Sequence, residues 1–314
     1  MTVTRLLYGV YSVTGMYGSI PPGKARKLIF EALEAGLAGF DTADIYGRGL
    51  GEELLRGVKT GFIATKIGYR LDTPRPVQCF DPDYLLKAAR AGLERMGRRS
   101  VDLVQLHNPP LEVLRKPGTY KALRRMKEEG LARYTGVALG PEIDVLPHAI
   151  EALSHDEVDA LQFVYNMLEQ EPGATIARLA RENGVLTLVR VPHAGGVLDE
   201  SVTEPPRFEG SDHRRLRRKG WYEWALKTYN TRIKPLLEEH PGTPGQKALK
   251  FIEQTINPDY IIIIATTEEK IREYAGYKNI PDIPDSIVRG IVRAYLEEAP
   301  KSPEAPLILK QKLY

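Results

Sequence analysis

The sequence predicts an α/β fold, a single-domain (β/α)8 (TIM) barrel over residues 1–314, with a long loop after the seventh strand and a C-terminal helical extension. Three observations predict it. Short aliphatic runs recur along the chain with helix-like stretches between them, as strands and crossover helices of a parallel sheet do. The runs do not alternate in polarity, which marks strands buried on both faces. No break in composition divides the 314 residues, and closed barrels of this type occupy about 250 residues as one unit.

The strands are expected at Leu6 to Val10, Gly39 to Thr42, Gly61 to Thr65, Val101 to His107, Tyr134 to Leu139, Ala160 to Tyr165, Leu186 to Val191 and Tyr260 to Ile264. Between them lie amphipathic helix patterns. From Pro82 to Met96, the residues Leu85, Leu86, Ala89, Leu93 and Met96 recur at helical spacing. Asp81 can cap the first turn there, and Pro82 suits the first helical position. Pro22 to Ala35, Tyr120 to Glu129, Ile176 to Asn183 and Gln246 to Thr255 read similarly. Two additions stand outside the repeat. A loop rich in Pro, Gly and charge runs from Pro192 to Gly220, followed by a helix from Trp221 to about Glu239. Ser286 to Glu298 forms the C-terminal helix, ahead of a loosely held tail after Pro300.

Composition narrows the function classes. Lys and Arg number 44 against 41 Asp and Glu, a net charge of +3 that lacks the basic excess of a nucleic-acid protein. A small-molecule partner is expected instead. The N-terminal MTVTRLLYGV lacks a signal peptide's apolar stretch, and Ile261 to Ile264 is far short of the ~20 residues of a membrane span. A cytoplasmic location with no membrane partner is therefore expected. Six Asn and seven Gln, against abundant Arg, Glu and Pro, point to a heat-adapted, thermophile chain. Cys79, the one cysteine, reads as a free thiol in the loop after the third strand. The histidines have no metal-ligand spacing, so no metal is expected. Oligomeric state is not legible.

Barrel active sites lie at the carboxyl ends of the strands. The second strand ends in Asp41-Thr42-Ala43-Asp44-Ile45-Tyr46-Gly47, the third in Thr65-Lys66 and the fourth in Gln105-Leu106-His107. Asp41, Tyr46, Lys66 and His107 should thus converge on one rim. Each alone could be a turn residue, a packing aromatic, a solvated cation or a core histidine; together they suit carbonyl reduction. A neighbouring ammonium, Lys66, would lower the pKa of Tyr46 and make it a better acid. A buried lysine tends to lose its proton, and Asp41 is placed to hold its charge. His107 would orient the carbonyl or share the proton with Tyr46.

The strings GFDTADIYG, IATKIG and VDLVQLHNPP resemble the signatures of the aldo-keto reductases, in order and on the expected strands. That resemblance extends over nearly the whole chain. It implies a barrel enzyme that interconverts carbonyls and alcohols with NADPH, or less often NADH, using Tyr46 as general acid tuned by Lys66 and Asp41. It also implies that Gln162, in LQFVYN, binds the nicotinamide carboxamide and that Tyr11 forms a wall of the substrate pocket. The absence of a Rossmann glycine fingerprint agrees with it.

Two positions depart from the family's commonest pattern. Gly136-Val137-Ala138-Leu139 replaces Gly-Val-Ser-Asn, leaving the carboxamide contact to Gln162. Arg190-Val191-Pro192-His193 replaces Tyr-Ser-Pro-Leu at the nicotinamide face, a form shared by one branch of the family. A guanidinium there favours neutral reduced nicotinamide over the cationic oxidised ring. By the same resemblance Thr266, Thr267 and Lys270 face the adenosine end, although Glu268 and Glu269 oppose phosphate recognition. An arginine of the cluster around Arg214 either clamps the pyrophosphate or lies on a solvated face. Two alternatives share these residues: a nicotinamide-binding regulatory or redox-sensing subunit similar to the potassium-channel β-subunits, and a sugar or alcohol dehydrogenase working oxidatively.

Overall fold

The computed structural model describes residues 4–15, 18, 20–141, 144–207, 212, 214 and 217–305. The strands are β1 (Leu6–Gly9), β2 (Gly39–Asp41), β3 (Phe62–Ile67), β4 (Val101–His107), β5 (Ala132–Ala138), β6 (Ala160–Val164), β7 (Leu186–Arg190) and β8 (Tyr260–Ile263). They close into a parallel barrel in which each pairs with its neighbour in the chain and β8 returns to β1. The expected barrel is therefore the observed one, with β5 starting earlier than Tyr134 and β3 running on to Ile67.

Register gathers the candidate site residues at the carboxyl ends of their strands. Gly9 lies opposite Asp41, Lys66 opposite Gln105, His107 opposite Ala138, and Ala138 opposite Gln162. Inside the barrel, Leu7, Ala64, Leu103, Ala160, Leu188 and Ile262 are buried together. At its amino end the rings of Phe62 and Tyr260, the first residues of their strands, stack with centroids 4.5 Å apart. Apolar packing covers the barrel interior at this end.

The helix Pro82–Met96 shows why the pattern was readable. Asp81 Oδ1 accepts from the backbone N–H groups of Asp83 and Tyr84 at 3.1 and 3.0 Å, and Gly97 ends the helix with φ 64°, a conformation glycine adopts without Cβ strain. Its apolar face, including Leu85, Leu86, Leu93 and Met96, is buried. The helix expected at Gln246 starts earlier, at Pro244, because Thr243 and Gln246 form a reciprocal capping box.

Several features differ from the expected elements, among them the helix Glu268–Ala275 after β8. The loop after β3 contains a two-stranded antiparallel hairpin, Tyr69–Arg70 against Val77–Gln78, too short for a periodicity signal. A helix over Leu146–Leu153 covers the β5 to β6 connection. The helix starting at Trp221 is not continuous to Glu239: it changes to a π turn over Tyr229–Ile233 before Lys234–Leu237. Pro235, with no N–H to donate, accounts for the widened turn.

The loop after β7 begins with a tight turn at Ala194–Gly196 and is anchored near its far end by Arg217. That guanidinium pairs with Glu169 at 2.5 Å and Glu304 at 2.6 Å and lies 3.9 Å over the Trp221 ring. The C-terminal helix spans Asp285–Glu298. Among the described residues no helix is long and apolar enough to cross a membrane, and no cluster of His, Cys, Asp and Glu could hold a metal ion.

Candidate active site

Strand alternation turns Lys66 into the barrel, where it is 1% exposed. Its ammonium has three protons to place, and three acceptors stand around it: Asp41 Oδ1 at 2.5 Å, the Thr42 carbonyl at 2.9 Å and the Tyr46 hydroxyl at 3.2 Å. Burial pushes Lys66 below its ordinary range while the Asp41 carboxylate opposes that shift. The other Asp41 oxygen accepts from Gln162 Nε2 at 2.9 Å.

Tyr46 follows β2 in a tight turn in which Gly47 and Arg48 both have positive φ. Tyr11 packs edge-on against its ring at 4.7 Å, and His107 does so from the other direction at 5.8 Å. Burial, then the Asp41 charge, pushes the phenol upward, while Arg190 opposes. This reverses the lowering expected from Lys66: desolvation of a phenolate outweighs one ammonium already neutralised by a carboxylate. The resting group is a neutral phenol with an ammonium against its oxygen.

His107 ends β4. Asn108, in the left-handed region that asparagine tolerates, turns the chain immediately after it. Burial pushes His107 well below its ordinary range, reinforced by Lys66 and Arg190, so its imidazole is neutral near pH 7. Its Nδ1 is buried without a hydrogen-bond partner among the described residues. Asp41, Tyr46, Lys66 and His107 thus come together at the rim.

The expected cofactor residues divide into three groups. Gln162 is buried inside the barrel, with Gln105 Oε1 3.5 Å from its Nε2. Gln105 was missed in the sequence, although its position two residues before His107 on one strand puts both on the same face. Arg190 crosses the rim from β7 to donate to the Leu139 carbonyl at 2.8 Å. Val191 has φ 61°, unusual for a β-branched residue, and its carbonyl accepts from Asn166 Nδ2 at 2.9 Å. Pro192 follows it, buried.

His193 sits elsewhere. It is buried with its ring stacked on Tyr274 at 4.2 Å and its Nε2 3.3 Å from the Gly245 carbonyl, facing the helix layer. Thr266 and Thr267 follow β8; Thr267 caps the helix Glu268–Ala275 by accepting from the Lys270 N–H at 3.3 Å. Lys270 pairs with Glu273 at 2.9 Å, and Glu268 pairs with Lys27 at 2.7 Å. In the basic cluster, Arg214 pairs with Asp212 at 2.7 Å; His213, Arg215 and Leu216 lie outside the described residues.

Further residues at the rim were not singled out in the sequence. Tyr69, on the hairpin, lies edge-on to His107 at 5.2 Å. Gln78 donates to the carbonyl of Asn108 at 2.9 Å and of His107 at 3.3 Å. Asp44, 1% exposed, accepts from the backbone of Gly68 and Tyr69. The string that contains Asp44 was visible, but its partners come from the next strand and loop.

The closed parallel barrel thus carries a buried Lys–Asp pair, a tyrosine and a neutral histidine together at its carboxyl rim. The chain belongs to the aldo/keto reductase family, whose model matches residues 5–295. It is 29% identical to the aldo-keto reductase str7 of Strobilurus tenacellus over 83% of this chain and 78% of that protein. The aldo-keto reductase yakc [NADP(+)] of Schizosaccharomyces pombe is 27% identical over 80% of this chain and 76% of its own length. An aldo-keto reductase structure from Bacillus halodurans in its holo form superposes with a TM-score of 0.74 at 23% identity, covering 93% of this chain and 92% of that one.

Proposed function

We propose that this protein reduces an aldehyde or ketone to an alcohol with NADPH as hydride donor, Tyr46 acting as general acid. The observation that carries the reading is the Lys66 ammonium, within hydrogen-bonding distance of both Asp41 and the Tyr46 hydroxyl in a buried rim site. The donor set also suits a nicotinamide. Gln162 puts a primary amide against Asp41 with the Gln105 amide beside it, and Gln105 Nε2 is buried without a hydrogen-bond partner among the described residues, a donor suited to a carboxamide oxygen.

When bound, a reduced nicotinamide supplies the hydride. Gln162 would hold its carboxamide, with Arg190, Val191 and Pro192 at its face and Thr266, Thr267 and Lys270 at the adenosine end; His193 would support that wall from behind. Tyr46 donates its phenolic proton to the carbonyl oxygen. Lys66, already against that phenol, stabilises the phenolate as it forms. Asp41 keeps Lys66 charged for this purpose. Neutral His107 directs the carbonyl oxygen by a hydrogen bond, and Tyr11 bounds the pocket. NADPH is preferred over NADH because the yakc relative carries NADP(+) in its name and Lys270 stands in the first turn of a helix. Its pair with Glu273 is half-buried at the surface, and an ion pair of that kind, worth about 1 kcal/mol or less, yields to a phosphate.

The test follows loss of reduced-nicotinamide absorbance with NADPH and NADH across aldehydes, diones and sugars, with Tyr46→Phe alongside. Turnover should fall by about 10²-fold or more in the variant. Undiminished activity would remove Tyr46 as the acid.

A further inference from the structure

Asp44 touches none of the groups assigned to the reaction through its side chain, yet it joins the segments that carry them. Its backbone N–H donates to the Lys66 carbonyl at 2.9 Å, which ties the loop after β2 to the end of β3. Its Oδ2 accepts from the N–H groups of Gly68 at 3.1 Å and Tyr69 at 3.3 Å. Those two residues begin the hairpin, and Tyr69 is the residue whose ring meets His107. One buried residue therefore joins these segments, its main chain holding the proton donor's loop to the lysine's strand and its carboxyl group holding that loop to the aromatic wall against the histidine.

Local geometry makes that link necessary. The chain turns sharply at Gly68, φ 133°, where a Cβ would lie 2.6 Å from the Phe80 ring. A turn of this kind leaves two backbone N–H groups with no strand to receive them, and a donor turned inward without a partner is costly. Asp44 supplies the acceptor for both. The hairpin is fastened at other points by Arg48 to the carbonyls of Leu71 and Thr73, by Gln78 to β4, and by the Tyr84 hydroxyl to the Tyr69 carbonyl at 2.8 Å. Gln78 Nε2 also donates to the Tyr69 hydroxyl at 3.2 Å, so the ring is held at its tip by Gln78 and at its amide by Asp44, which sets where the side chain begins.

We propose that Asp44 is a positioning residue for carbonyl reduction, fixing the Tyr69 wall relative to the Tyr46 proton donor and thereby the placement of the substrate carbonyl. This rests on the reading of Tyr46 as the acid. Asp44 acts on the carbonyl and not on the nicotinamide, whose assigned contacts lie on β6, β7 and β8. Asn retains an oxygen that can accept both N–H groups; Ala does not.

The experiment measures kcat, KM for the aldehyde turned over fastest in the panel, and Kd for NADPH by fluorescence, in the wild type, Asp44→Ala, Asp44→Asn, Tyr69→Ala and Tyr46→Phe. Asp44→Ala should raise KM about tenfold or more with kcat and the NADPH Kd changed by less than about threefold. Asp44→Asn should restore KM to near the wild-type value. Tyr69→Ala should raise KM comparably, and the double variant should show little further increase, because both changes remove one contact. An unchanged KM in Asp44→Ala overturns the proposal. So does an Asn variant as impaired as Ala, or a parallel loss of NADPH binding that reveals general disruption. If Asp44→Ala does not fold, an unchanged KM in Tyr69→Ala overturns it equally. Full activity in Tyr46→Phe removes the underlying reading, whereas an inactive Tyr46→Phe with an unaffected Asp44→Ala removes this inference alone. No turnover on any carbonyl removes both.

Discussion

Lys66 is the residue on which the site's electrostatics turn, because a buried ammonium is tolerated only beside its carboxylate. Lys66→Met leaves Asp41 buried with its partner gone, and removing one member of such a pair costs about 3–5 kcal/mol. A urea titration should show that loss as a lowered midpoint. Asp44 makes the opposite case. Burial first, then the Glu52 charge, raises it from 3.8 to about 7. A carboxyl group raised on folding contributes stability that is complete below about pH 4 and lost as pH rises through about 7. Asp44→Asn should therefore match the wild type in unfolding free energy near pH 4 and exceed it at pH 8 by on the order of a few kcal/mol, read from urea titrations at the two pH values. A difference that does not vary with pH would contradict this. At Arg190, replacement by Tyr should reduce the preference for reduced over oxidised nicotinamide, read as the ratio of the two dissociation constants; an unchanged ratio would remove the charge argument.

At the scale of elements, the helices with their own start and stop residues were the most legible. Asp81, Pro82 and Gly97 bracket one helix so completely that its sequence limits and its structural limits coincide at Pro82–Met96. Asp81→Ala should cost about 1 kcal/mol in a denaturant titration, since it removes an acceptor from two backbone N–H groups. Strands were legible for a different reason: burial on both faces leaves mostly aliphatic runs without polar alternation, interrupted by residues such as Lys66, Gln105 and Gln162. The hairpin after β3 escaped notice because its strands are two residues each and owe their pairing to a turn and to contacts with Asp44, Arg48 and β4. The π turn before Pro235 escaped because the proline signals a disturbance but not its form.

At the scale of the molecule, long-range ion pairs join segments that the barrel alone would leave separate. Arg217 joins the loop after β7 to Glu169 beyond β6 and to Glu304 past the C-terminal helix. Arg217→Ala leaves two carboxylates without their shared cation, and hydrogen bonds to charged groups of this kind are worth about 1.5–3 kcal/mol. The thermal midpoint should fall accordingly, and limited proteolysis should cut the loop after β7 faster. A variant with an unchanged midpoint and cleavage rate would show that the loop is held by other contacts.

By itself the sequence determined the barrel, its strand order and the set Asp41, Tyr46, Lys66 and His107, because each of these is written in local pattern: aliphatic runs, caps, and polar residues at strand ends. Tertiary structure alone decided which charges are compensated and which direction each side chain faces. It turned His193 into the helix layer, gave Lys66 its three acceptors, and pushed Tyr46 upward instead of down. It also made Asp44 a link between three segments. Burial and distance across the fold set those outcomes, and neither is a property of neighbouring residues in a chain.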